Sequence, residues 1–100
     1  MKIKVYKKHW DKAKKKQFSD PHFSATADCL LATAIKDQMK GSTVDNVTFY
    51  RATIDGKRYA SVTREATEIL VSQWIHGDDE GRQKLPLTIE FEETENYLSD

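Results

Sequence analysis

The chemistry that this sequence could carry out depends first on its single thiol, Cys29. His9 or His22 could take the proton of the thiol, as the base does in cysteine catalysis. Asp11 or Asp20 would then orient the imidazole. A position early in a helix would lower the pKa of the thiol. Acyl transfer also needs an oxyanion site, and no nucleophile-elbow motif is visible. We therefore predict no catalytic residue and no enzyme, and interpret Cys29 as a small helix residue that packs against another element.

Metal binding is the second chemistry to consider. The candidate zinc ligands are His9, His22, His76 and Cys29. Their spacings match no compact zinc motif. The acidic stretch 78–81 could attract Ca²⁺, but it lacks the alternating ligands and the terminal glutamate of an EF-hand loop. The sequence therefore predicts neither a metal nor a cofactor.

The segment 7–16 is rich in lysine and could contact phosphates as a helix. The candidate nucleic-acid contacts are Lys7, Lys8, Trp10, Lys12, Lys14, Lys15 and Lys16. Neutralising several phosphates would give binding that weakens with salt. The segment contains no arginine, the residue that reads guanine edges with two hydrogen bonds, so sequence-specific recognition is disfavoured. The alternative is a solvated lysine face that keeps the protein soluble.

The two ends of the chain carry opposite charge although the net charge is zero. Residues 1–16 hold eight lysines and one aspartate, whereas residues 76–100 hold eight acidic residues against Arg82 and Lys84. A cluster of one sign creates a local field that the net charge hides. Such a field could attract a polyanion, or the two ends could attract each other as neighbouring strands.

A second candidate surface lies on the predicted sheet. The candidate protein-binding residues are Tyr50, Arg51, Arg58, Tyr59, Glu90 and Glu92. If the hairpin face that carries the two tyrosines were exposed, Tyr50 and Tyr59 with Arg51 and Arg58 nearby could form a protein-binding patch or a platform that stacks bases. The glutamates would form an acidic ridge that could meet a basic protein. The alternatives are that a helix or a second copy covers the hairpin, and that the ridge flanks the lysine-rich first strand.

Composition limits the class of protein. One hundred residues, 38% of them apolar and 32% charged, make a single domain over residues 1–100. No apolar run has the length of a membrane span, and the first residues lack the apolar stretch of a secretion signal. A lone cysteine forms no internal disulfide. We therefore expect a soluble, cytoplasmic protein.

Seven elements must position these side chains, in the order β-α-α-β-β-α-β. The alternation and helical periodicity predict strands at 2–6, 47–54, 57–62 and 85–92 and helices at 7–17, 25–40 and 64–76. Ser24 is a candidate N-cap, and Gly77 ends the last helix. Residues 78–84 are predicted as a polar loop, and residues 93–100 as a loose acidic tail.

These elements predict an α+β fold. We expect a small, mostly antiparallel, four-stranded sheet with two to three helices on one face. Asp55-Gly56 is a two-residue hairpin turn that pairs Ile54 with Lys57 and Ala52 with Tyr59. Both faces of this hairpin are partly apolar, so the pattern does not decide which face meets the helices. A homodimer that buries the other face is an open alternative.

The order of motifs resembles a group of small uncharacterised proteins of phages and bacterial genomes. The matching features are the strand 2–5, His9, the cysteine-led helix 29–35, the helix 66–77 and the proline-bearing strand 85–92. In that group a proline commonly follows the cysteine, whereas Leu30 does so here. The resemblance implies a phage or mobile-element protein inside a prokaryotic cell, and it supplies no catalytic residues.

Two functions remain as expectations. The first is a non-enzymatic accessory protein that binds a host protein through the sheet face or the acidic ridge. The second is a non-specific nucleic-acid-binding protein that uses the lysine-rich segment. The missing arginine disfavours the second, and we expect the first.

Overall fold

The computed structural model describes residues 1–94, which form five strands and four helices. In chain order these are β1 (Lys2–Val5), α1 (Lys7–Ser19), α2 (Leu30–Gln38), β2 (Val44–Asp45), β3 (Arg51–Ile54), β4 (Lys57–Ser61), α3 (Arg64–His76), α4 (Asp79–Gln83) and β5 (Leu87–Glu93). The fold class is α+β, as predicted. The sheet has five strands in these residues rather than the predicted four.

The sheet joins the two ends of the described chain. Its strand order is β1-β5-β4-β3-β2, and every neighbouring pair is antiparallel. The predicted hairpin register is confirmed, because Ile54 lies opposite Lys57 and Ala52 opposite Tyr59. The additional strand, β2, has only two residues, too few to show an alternating pattern. Strand β3 begins at Arg51, later than the predicted residue 47.

Two of the predicted helices have corrected bounds, and one predicted loop is helical. Helix α2 begins at Leu30 rather than at residue 25, because Ser24 is part of a separate turn. In that turn the Ser24 amide donates to the Asp28 side chain, and the Asp28 amide donates to the Ser24 carbonyl. Helix α4 lies within the predicted loop 78–84, and the carboxylate of Asp78 accepts a hydrogen bond from the Glu80 amide at its start. Helix α1 extends to Ser19.

The helices lie against one face of the sheet. The sequence pattern left open which face of the hairpin meets them, and the structure shows that it is the face that carries Ala52 and Ile54. Helices α2 and α3 contact the strands, while α1 packs on α2, and α4 packs on α3 and α1. Most strand residues facing the helices are buried, among them Ile3, Ala52 and Phe91. They meet Leu30 and Trp74, which are also buried. The opposite side of the sheet, here called the outer face, has no helix over it within residues 1–94.

The predicted acidic tail begins inside an element. Glu93 is the last residue of β5, and the Thr94 amide donates to the Arg58 carbonyl. The remainder of the predicted tail, 95–100, lies outside the described residues.

Candidate binding surfaces

The thiol of Cys29 lies in an environment that disfavours a nucleophile. Cys29 is the N-cap of α2 and is only 5% exposed. Burial raises the pKa of its thiol, and hydrogen bonds from the backbone amides of Ala32 and Leu31 offset this only in part. The sequence-based expectation of a lowered thiol pKa is therefore wrong. Desolvation of the thiolate outweighs the favourable end of the helix.

His9 is the most buried histidine, and both of its ring nitrogens are engaged. Its Nδ1 accepts a hydrogen bond of 2.9 Å from the Tyr6 amide, so its Nε2 carries the proton and donates to Asp37 Oδ2 at 2.8 Å. His9 is 2% exposed. The hydrogen bond from His9, followed by the charge of Lys8, holds the pKa of the Asp37 carboxyl below its ordinary value. With no free nitrogen, His9 anchors α1 to α2 and is not placed to act as a base.

Sequence reasoning missed this anchor. His9 stands at the third position of α1, directly after the strand that ends at Val5. A polar side chain at that position can bond back to the amide of the N-cap residue, which here is Tyr6. That spacing was the available signal. Within residues 1–94, the histidine, cysteine and acidic side chains form no group of three or more that could hold a metal ion.

Helix α1 distributes its lysines over three environments. Lys8 lies 3.4 Å from Asp37, and Lys16 lies 2.7 Å from Asp28. Lys14 is partly buried, whereas the other five lysines of the helix are exposed, including the two that lie near aspartates. We call the exposed set Lys7, Lys8, Lys12, Lys15 and Lys16 the lysine face.

Two residues of the predicted nucleic-acid set do not belong to the lysine face. Trp10 is buried, with its carbonyl accepting a hydrogen bond of 3.4 Å from the Trp74 indole, so it has no surface for stacking bases. Lys14 turns towards α3, where its ammonium lies 4.6 Å from the centre of the Trp74 ring and 3.4 Å from the Ile75 carbonyl oxygen. Burial lowers the pKa of Lys14.

The predicted patch of tyrosines and arginines does not form on one face. Tyr59 points to the helix side of the sheet, as does Ala52 opposite it, whereas Arg51 and Arg58 alternate to the outer face. Tyr50 is only 8% exposed. The guanidinium groups of Arg51 and Arg64 lie 4.7 Å and 4.2 Å from its ring centre. Tyr50 is thus buried, with two guanidinium groups over its ring, and does not offer an exposed aromatic surface.

The acidic ridge lies on the outer face between basic strands. Glu90 and Glu92 are exposed on β5, and Glu90 lies directly opposite Lys2. On the other side Glu92 lies opposite Ala60, whose other cross-strand partner is Arg51. The outer face therefore carries alternating signs, from β1 to β5 to the hairpin. The interpretation that the ridge flanks the lysine-rich strand is confirmed for β1.

One edge of the sheet is partly covered by a side chain, and the strand at the other edge is short. The outward-facing backbone of Lys4 in β1 pairs with the side chain of Gln38, which accepts from the Lys4 amide at 2.8 Å and donates to its carbonyl at 2.6 Å. At the other edge β2 has only two residues, Val44 and Asp45. A short or covered edge resists the addition of another strand.

An apolar cleft that the sequence did not indicate opens between α3 and the loops before α2 and β3. Its volume is about 280 Å³. Its lining includes Phe23, Cys29, Val47, Phe49, Val71, Trp74 and Ile75, with Gln17, Ala25, Thr26 and Thr48 around them. Phe49 and Ile75 are exposed at its mouth. Residues from four separate parts of the chain form this cleft, so no local pattern could predict it.

Comparison with known proteins identifies no family for this chain. No protein-family model, curated protein or solved structure matches this chain. The resemblance to small phage and bacterial proteins stays an expectation. No helix in the described part of the chain has both the length and the apolar content that a membrane crossing requires.

Proposed function

We propose that this chain is a non-enzymatic accessory protein that binds a partner protein on the outer face of its sheet. The observation that carries the proposal is the arrangement of charges on that face. Glu90 and Glu92 run between the basic residues of β1 and those of the hairpin, with no helix above them in residues 1–94. The resemblance to phage and mobile-element proteins favours a host protein as the partner.

Alternating rows of charge favour a protein over a uniform polyanion. Lys2 faces Glu90, and Glu92 lies across the small side chain of Ala60 from Arg51. A phosphate backbone would meet both signs on this surface. A protein partner can present the complementary order, which fixes its orientation and raises its association rate.

The partly covered edge at β1 and the short edge at β2 support docking on the face. Gln38 occupies the backbone groups of Lys4 at one edge, and the opposite edge strand is short. A partner strand added at β1 would have to displace the Gln38 side chain, and one added at β2 would meet a strand of only two residues. The outer face needs no such rearrangement.

The test is site-specific photo-crosslinking from the middle of the outer face. A benzophenone amino acid replaces Ala60, and the protein is expressed in bacterial host cells. We expect a crosslinked product that is lost in the Glu92→Arg variant and retained in the Lys12→Glu variant. Unfolding curves of both variants establish that they fold.

Three results would overturn this proposal. They are the absence of a product from position 60, a product that survives Glu92→Arg, and a product lost equally in Lys12→Glu. A product of twice the mass of the chain would identify a second copy as the partner in place of a host protein.

A second candidate function, non-specific nucleic-acid binding, is favoured by the lysine face. Lys8, Lys12 and Lys15 lie at i, i+4 and i+7, which places them on one side of α1. Side chains in such a row can contact successive phosphates. The helix carries no arginine for base reading, so we expect contact with the backbone alone.

Fluorescence anisotropy with labelled single- and double-stranded oligonucleotides across a salt series tests this second function. Binding should weaken steeply with salt, with a slope set by the number of phosphates contacted. The Lys12→Glu/Lys15→Glu variant should bind more weakly, and Glu92→Gln should not. Absence of binding at low salt would reject this function and leave the outer-face proposal standing.

A further inference from the structure

The apolar cleft has the dimensions of a small ligand site. Its volume of about 280 Å³ lies just below the usual range of ligand pockets, roughly 300 to 1,000 Å³. Trp74 and Phe23 stand in its wall with their ring centres 6.4 Å apart. Phe49 and Ile75 leave its mouth open to solvent. A cleft of this size accepts one compact apolar body.

One charged group, the Lys14 ammonium, lies outside the lining of the cleft but contacts residues that form it. The Lys14 ammonium donates to the Gln17 side-chain oxygen at 3.1 Å and to the Ile75 carbonyl at 3.4 Å, and it lies over the Trp74 ring. All three of these residues line the cleft. The ring of Phe18, which is 82% exposed, lies 5.6 Å from the same ammonium.

Lys14 combines two features that no other lysine of α1 has together: its side chain is partly buried, and it has no carboxylate partner in residues 1–94. Lys8 and Lys16 are paired with Asp37 and Asp28, whereas no carboxylate of residues 1–94 lies within ion-pair distance of Lys14. An ammonium has three N–H donors, and the Lys14 contacts use two of them. The third donor can serve a ligand. Because Lys14 is partly buried, an anion there would be attracted more strongly than at the exposed lysines.

We infer that the cleft binds a small apolar carboxylate, such as a medium-chain alkanoic acid, with its chain in the cleft and its carboxylate on Lys14. The apolar lining would contribute roughly 0.8 kcal/mol for each methylene removed from water. A charge-assisted hydrogen bond from Lys14 would orient the ligand. This site is separate from the outer face and does not depend on the function proposed above.

Titration calorimetry with decanoate tests the inference, and decanol is the matched uncharged ligand. We expect decanoate to bind about tenfold more tightly than decanol, a ratio that corresponds to about 1.4 kcal/mol. Both ligands should change the fluorescence of Trp74, which lines the cleft. In Lys14→Gln the affinity for decanoate should fall to that for decanol, while the affinity for decanol stays unchanged.

Two further variants separate the cleft from general charge effects. Lys15→Gln removes an exposed charge from the next position of α1 and should leave both affinities unchanged. Ala25→Trp fills the mouth from an exposed lining position and should weaken both ligands. Ala25 is not in the core, so this variant should fold.

The inference is overturned if neither ligand binds, or if Lys14→Gln leaves the affinity for decanoate unchanged. It is also overturned if Lys15→Gln weakens decanoate as much as Lys14→Gln does. A benzophenone amino acid can also be placed at position 25. If decanoate does not bind and this position crosslinks to a protein, the cleft would be assigned to a protein segment instead. None of these outcomes bears on the crosslinks from position 60, so the two proposals fail separately.

Discussion

The lysine face of α1 and the outer face of the sheet use similar side chains but organise charge in opposite ways. On α1 the residues come from one short segment, and a helix keeps neighbours of like sign together at three- and four-residue spacing. On the sheet, β1 and β5 come from opposite ends of the chain and lie side by side. Their antiparallel pairing places Lys2 against Glu90.

This difference shows how secondary structure treats a run of charge. A helix preserves the charge of its segment, whereas a sheet mixes the charges of segments that are distant in sequence. The basic character of residues 1–16 is therefore retained along α1 and neutralised along β1. One surface suits a partner of a single sign, and the other suits a partner with a matching pattern.

The largest expected loss of stability comes from replacing His9, the buried side chain that anchors α1 to α2. His9→Ala removes the hydrogen bonds to Tyr6 and Asp37 and leaves the Tyr6 amide without its acceptor. We expect the free energy of unfolding to fall by about 2–3 kcal/mol. Urea unfolding measures this change. His22→Ala, at an exposed histidine, is the control, and an equal loss in both variants would contradict the role of His9 as the anchor.

The next largest expected effect comes from replacing Gln38, whose side chain covers part of the β1 edge of the sheet. Gln38→Ala removes both hydrogen bonds to the backbone of Lys4 and uncovers β1. We expect a loss of about 1 kcal/mol and self-association that rises with concentration. Sedimentation velocity and urea unfolding measure the two effects. The control is Gln83→Ala, on exposed α4, and a strictly monomeric Gln38→Ala protein would show that this side chain does not protect the edge.

A matched pair of charge reversals tests the comparison directly. Lys2→Glu places a like charge opposite Glu90 and should destabilise the protein by about 0.5 kcal/mol. Lys12→Glu places an acid among lysines on α1 and should be neutral or stabilise by about 0.3 kcal/mol. Urea unfolding at low salt measures both variants.

Two controls accompany this pair. The exchanged variant Lys2→Glu/Glu90→Lys should recover the loss, and 1 M salt should reduce the difference between the two single variants. Equal effects of Lys2→Glu and Lys12→Glu would show that the two faces treat charge alike.

The smallest expected effect is the contribution of Asp37 to the way stability depends on pH. The hydrogen bond from His9 holds the pKa of Asp37 below its ordinary value of 3.8. The folded-state pKa is thus lower than the unfolded one, so the contribution of Asp37 is present above pH 3.8 and is lost as pH falls through the folded-state pKa. Asp37→Asn should lower stability at pH 7 and lose less on acidification than the wild type. Parallel stability curves between pH 7 and pH 3 would contradict this assignment.

Local pattern was sufficient for elements in which each residue repeats a simple period. The helix 64–76, the hairpin turn at 55–56 and the register of Ala52 with Tyr59 follow from helical periodicity, turn chemistry and alternation. Local pattern did not predict the start of α2, because hydrogen bonds between Ser24 and Asp28 hold the preceding residues in a turn. It also failed for β2, which depends on a partner strand.

The candidate site residues also divide into those whose position follows from local pattern and those whose position depends on tertiary packing. Alternation alone separates Tyr59 from Arg58 on opposite faces, so the mixed patch could have been rejected from the sequence. The burial of His9 and Trp10 required knowledge of what packs over α1. The cleft beside Lys14 required the relative positions of α1, α3 and two loops.

The sequence by itself determined the α+β class, the hairpin and the basic character of α1, because these depend on neighbours within a few residues. Tertiary structure alone decided that Glu90 faces Lys2, that His9 is anchored by Asp37 and that Lys14 stands beside an apolar cleft. Each of these arrangements joins side chains that are far apart along the chain. Their contacts follow from packing against a shared core, and no local period encodes them.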